Sequence, residues 1–65
     1  MTIHFHVSRR YGGLWANGSY GTQAIGTWAE NRPALARDLQ KAVQEMQRLR
    51  IFPKGLRVQL GATHL

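Results

Sequence analysis

A chain of 65 residues with no cysteine has room for one small domain, and disulfide staples and thiolate metal sites are excluded. Folding hides only about 60% of the surface that so short a chain exposes when unfolded, so close packing or self-association must supply the stability. Nine Lys and Arg against three Asp and Glu give a formal net charge of +6, which favours a polyanionic partner: DNA, RNA or an acidic protein surface.

The amino-terminal MTIHFHVSRR carries its charges after its apolar residues, the reverse of a secretory signal, and no apolar run approaches the ~20 residues of a membrane span. A cytoplasmic protein without membrane association is expected. Within that stretch TIHFHVS alternates, with Ile3, Phe5 and Val7 on one side and Thr2, His4, His6 and Ser8 on the other, the pattern of a half-buried strand. Arg9, Arg10 and the pair Gly12-Gly13 mark a connection. Asn17-Gly18 is the strongest short-range hairpin signal, since both residues tolerate the positive φ of a type I′ turn. A turn there sets Trp15 opposite Tyr20 and places both on the side of Thr22, Ala24, Gly26 and Trp28. Leu14, Ala16, Gln23 and Ile25 take the other side. The aromatic side is the expected core, although a bulge at Gly21 or Gly26 would reverse the facing of Trp28.

Asn31 and Pro33 open a helix, Asn31 as the cap and Pro33 in the first turn, where its missing N–H costs nothing. The segment PALARDLQKAVQEMQRL then keeps helical period over about 16 residues, with Leu35, Leu39, Ala42, Val43, Met46 and Leu49 within an arc of about 120°. Arg37, Lys41, Gln44 and Arg48 form the opposite side, with Asp38 and Glu45 beside them. Pro53 is expected to end the regular region and Lys54-Gly55 to turn. LRVQL alternates again, with Leu56, Val58 and Leu60 on one face and Arg57 and Gln59 on the other, and GATHL is expected to fray. The expected fold is therefore one α+β domain over residues 1–65. It has two layers, an antiparallel sheet in the order β-β-β-α-β and one amphipathic helix on one face. The uncovered face, with His4, His6, Arg57 and Gln59, is expected to meet solvent, a ligand or a second copy in a homodimer.

Catalysis is not expected. The carboxylates are Glu30, Asp38 and Glu45, and the last two sit seven apart in the helix beside neutralising charges rather than across a cleft. The glycines of YGG and NGSYG lack the lysine and the strand-to-helix setting of a phosphate loop. His4-x-His6 places two imidazoles on one strand face, and His64 is a conceivable third ligand. Exposed strand histidines need no metal, however, so neither a metal nor any other cofactor is expected.

Binding through a basic surface is what remains, with two competing sites. Arg9, Arg10 and Arg57, helped by His4 and His6, offer a sheet-side route onto a groove or a single strand, while Arg37, Lys41 and Arg48 offer a helix-side route along a phosphate backbone. The segment SYGTQAIGTWAENRPALARDLQKAVQEM is similar to the small domain of HicB-type antitoxins, with WAENRPAL where a polar turn opens their helix. The chain departs from that family in lacking the proline- and cysteine-containing segment and a separate DNA-binding tail. IGTWAENRPALARDL also resembles the glycine-ended third strand and helix of the three-stranded DNA-binding domains of plant transcription factors and integrase arms, without their spread of basic and aromatic sheet residues. Nucleic-acid binding is the first expectation. The alternative is an inhibitor or antitoxin-like module that covers an acidic surface of a partner protein.

Overall fold

Alternation in the first ten residues builds β1 (Thr2–Arg10), and two short connections then fold β2 (Gly13–Tyr20) and β3 (Gln23–Ala29) back and forth beside it. Helix α1 (Arg32–Arg48) follows, and β4 (Arg57–His64) closes the chain. The computed structural model describes residues 1–64, the side chain of His64 excepted. The sheet has the order β3-β2-β1-β4. Its first three strands form an antiparallel meander, as read from the sequence, while β4 lies parallel to β1, so the sheet is mixed rather than wholly antiparallel. The reason is geometric. A helix between β3 and β4 carries the chain back along the sheet, and the returning strand enters in the direction of β1.

The turns do not fall at Asn17-Gly18, which lie inside β2. Arg10 pairs with Gly13 across Tyr11 and Gly12, whose φ angles of 55° and 75° suit a type I′ turn. Tyr20 pairs with Gln23 across Gly21 and Thr22, where Gly21 alone has positive φ, as a type II′ turn requires. These turns give three strands of nearly equal length and put Leu14 and Ala16 on the face of Ile3, Phe5 and Val7. Gly18 serves packing instead. A Cβ there would stand 2.5 Å from the His4 carbonyl oxygen and 2.9 Å from the Phe5 ring, so the bare backbone is what lets that ring lie against β2.

Under the sheet, Leu35, Leu39 and Val43 of α1 meet Ile3, Phe5, Val7, Leu14 and Ala16, and Phe52 and Leu56 close one end. Tyr20 packs edge-on against Phe52 with ring centroids 5.8 Å apart, and its hydroxyl donates to the Met1 sulfur at 3.1 Å. Tyr20 and Trp15 therefore occupy opposite faces, contrary to the hairpin reading. Asn31 caps α1, its Oδ1 accepting from the Ala34 N–H at 3.0 Å, with proline in the first turn as expected. At the other end Leu49 leaves the apolar stripe and is exposed, because the helix has already stopped. Arg50, with φ 62°, turns the chain, so that the Ile51 N–H donates to the Met46 carbonyl at 2.9 Å and the Arg50 N–H to the Gln47 carbonyl at 3.0 Å. The stop thus precedes Pro53. Replacing Arg50 with glycine relieves the left-handed strain and should raise stability by about 0.5–1 kcal/mol in urea denaturation. A loss instead would show that the arginine side chain contributes more than its backbone costs.

GATHL does not fray up to His64. The pairing slips between Phe5 and Val7, which face Leu60 and Thr63, and this bulge restores the ladder beyond Gly61. Arg32 of α1 pins it, its Nη1 donating to the Gly61 carbonyl at 2.9 Å and to Thr63 Oγ1 at 3.2 Å. No helix among the described residues is long and apolar enough to cross a membrane.

Candidate nucleic-acid interface

Because α1 covers one face of the sheet, the alternating residues on the other face remain open. β1 contributes Thr2, His4, His6, Ser8 and Arg10, β2 contributes Trp15, Asn17 and Ser19, β3 contributes Ala24, Gly26 and Trp28, and β4 contributes Arg57 and Gln59. The core is therefore on the aliphatic side, and the expectation that Trp15 and Trp28 are core residues is overturned. The deciding term is fit. The small space between sheet and helix is filled by aliphatic side chains and the two phenylalanines, while an indole is accommodated by lying on the sheet itself.

Each indole has a glycine to lie on. A Cβ at Gly26 would come within 2.6–2.7 Å of the Trp15 ring, and one at Gly13 within 2.5–2.7 Å of the Trp28 ring. Trp15 therefore crosses from β2 onto β3, and Trp28 crosses from β3 onto β2. Trp28 reaches on to β1, where its Nε1 donates to the Arg10 carbonyl at 2.8 Å. The two tryptophans are directly paired across β2 and β3, with Ser8 of β1 in the same row. Trp28 is 41% exposed and Trp15 half-buried, so each indole rests on the sheet and still meets solvent. Beside Trp15 the small residues Ala24 and Gly26, with Asn17 and Ser19, leave a shallow depression.

Arg10 and Arg57 both stand on this face, but not together. Arg57 is level with Thr2, eight residues along β1 from Arg10, which separates them by roughly 26 Å at ~3.3 Å per residue. Arg9 pairs with Leu14 and so belongs to the helix-bearing side. The sheet-side trio expected from the sequence is thus split into two ends of one face and one residue on the other. No carboxylate occurs in any of the four strands: Glu30 follows β3, and Asp38 and Glu45 are on α1.

Arg37, Lys41 and Arg48 are exposed on α1, on the opposite side of the molecule from the open face, so one flat ligand cannot touch both sites. Arg48 is held by Glu45, which accepts hydrogen bonds from its guanidinium. That hydrogen bond, with the charge of Glu45, raises the Arg48 pKa above its usual value. Both side chains are exposed, and the main consequence of the pair is that Arg48 already has an anion.

His4 and His6 are exposed on the open face, as the alternation predicts. The side chain of His64, the conceivable third ligand, lies outside the described residues, and among those described no group of three metal-ligating side chains forms. The indoles are what the sequence reading missed. The signal was present in the parity of Trp15 with Asn17 and Ser19, and in the glycines at 13 and 26 that a flat ring needs. Comparison with protein-family models, with curated proteins and with solved structures finds no match.

Proposed function

We propose that the open face of the sheet binds single-stranded nucleic acid. The observation that carries this reading is a pair of indoles laid on strand glycines, on a face without carboxylates, in a chain of net charge +6. Bases of a single strand stack on such rings whatever their sequence, and phosphates are drawn to cations at the margins. Here Trp15 and Trp28 are the platforms, Arg10 and Arg57 the two ends of the path, and Ser8, His6 and Asn17 the polar groups between. A duplex hides its bases and gives the indoles nothing to stack on. The α1 stripe is the weaker site, because Asp38 and Glu45 interrupt it and repel phosphate. A cytoplasmic location, where RNA is at hand, fits this reading.

Both tryptophans of the chain lie on the proposed site, so their fluorescence reports it directly. Titration with single-stranded DNA, single-stranded RNA and duplex DNA should quench emission most with a single strand. Affinity should fall between about 50 and about 200 mM salt, with a slope near −0.7 per phosphate contacted. Arg10→Ala and Arg57→Ala should each lower that slope by about one contact, and Arg37→Ala with Lys41→Ala should leave it unchanged. A duplex preference whose slope falls in the helix variants would move the site to α1. No binding at low salt would remove the nucleic-acid reading and leave an acidic protein surface as the partner class.

A further inference from the structure

The sheet has two edges, and they are built differently. β4 is blunted by its bulge, is fastened by Arg32 at Gly61 and Thr63, and starts with Arg57. Bulges and edge charges are the devices by which a sheet avoids adding another strand. β3 has none of them. Its register with β2 runs without a break from Ala29 to Gln23, it contains neither proline nor a charged residue, and no charge occurs anywhere from Tyr11 to Ala29. Among the described residues no backbone hydrogen bond reaches β3 from beyond the β2 ladder. Its outward N–H and C=O groups form a straight, neutral row.

We infer that two copies of this chain pair through β3, antiparallel about a two-fold axis, to give one continuous eight-stranded sheet. A second copy is the occupant the charge distribution favours, because β3 lies in the longest neutral stretch of the chain and lets two bodies of charge +6 approach with their cations elsewhere. The axis stands perpendicular to the sheet, so both helices fall on one side and both open faces on the other. Trp15 and Trp28 of each copy then share one uninterrupted surface. Pairing through the edge also leaves the open face free, whereas a homodimer closed through that face would bury the indoles. The inference stands independently of the nucleic-acid reading, since it concerns backbone pairing alone.

Sedimentation of the full chain from micromolar to millimolar concentration tests it. The mass should rise from one copy toward two. A24K, which places on the exposed side of β3 the kind of charge that keeps sheet edges from pairing, should weaken the dimer at least about tenfold. Q59K, on β4, should not. A chain that stays monomeric throughout, or a dimer that A24K leaves intact, would overturn the inference. Should A24K fail to fold, single cysteines at Gln23, Ala24, Ile25 and Thr27 decide the matter, because the chain has no other. Oxidised glutathione should join two copies fastest at the position nearest the axis and progressively more slowly at positions farther from it, as the distance between the two Cα atoms grows. Equal, slow linkage at all four and at a Gln59→Cys control would also overturn it.

Discussion

Trp15→Ala weakens binding of a single-stranded oligonucleotide by roughly 5- to 150-fold, the loss of about 1–3 kcal/mol expected for one stacked base. The variant should keep the wild-type salt slope, because no phosphate contact is removed. That separation distinguishes stacking from a general loss of positive surface, which would lower affinity and slope together. Trp15→Phe should recover part of the affinity, since a smaller ring still stacks over Gly26. Trp28→Phe tests a different component. It keeps a ring on Gly13 but removes the indole N–H that holds the Arg10 carbonyl, so it should loosen the Arg10 end of the face more than it reduces stacking. Circular dichroism must first show each variant folded. Unchanged affinity in folded Trp15→Ala would exclude that ring from the site.

Phe5→Ala should bring the chain to the edge of unfolding. Phe5 is 1% exposed, lies in the central strand between β2 and β4, and rests on Gly18, so the neighbours cannot readily collapse into the space it leaves. A buried phenylalanine truncated in this way costs about 3–5 kcal/mol. The whole stability of 65 residues is about 3–10 kcal/mol at ~0.05–0.15 kcal/mol per residue. Urea denaturation should show a midpoint moved close to zero denaturant. A cooperative transition with a loss below about 1 kcal/mol would mean that the core repacks around the missing ring.

The elements with a strong local cause were legible in the sequence. Ile3, Phe5 and Val7 alternate without interruption, and Asn31-Arg32-Pro33 followed by the leucine stripe can hardly be read as anything but a capped helix. The hairpin register was not legible, because it is settled by a competition between two glycine signals. Asn17-Gly18 has the better turn chemistry, but a turn there would forfeit the pairing of β1 with β2 and the burial of Leu14 and Ala16 beneath it. Tyr11 accepts a positive φ, unusual for an aromatic residue, so that the longer strands can form. The displaced turn changes the facing of Tyr20 relative to Trp15, but Ala24, Gly26 and Trp28 share the face of Trp15 in either register. The indoles were assigned to the core because a row of paired aromatic rings is expected to be buried, and here the aliphatic face fills that space instead. The parallel docking of β4 depends on the path of α1, which no local pattern encodes. Among the candidate cations, residue type was readable, but their grouping was not: Arg9 and Arg10 are neighbours in sequence and lie on opposite faces.

The strand order also dictates a timetable. β1, β2 and β3 close through two-residue turns, and such hairpins form within about 1–10 μs. β4 joins β1 across 55 positions of chain, the separation of Ile3 from Val58, and loop-closure entropy makes that the late and slow step. Until it is taken, the central strand of the finished sheet is itself an outer strand, with the apolar Ile3, Phe5 and Val7 along an open ladder. The chain is most prone to mispairing during that interval, and any condition that delays β4, such as loss of the Arg32 anchor, lengthens it.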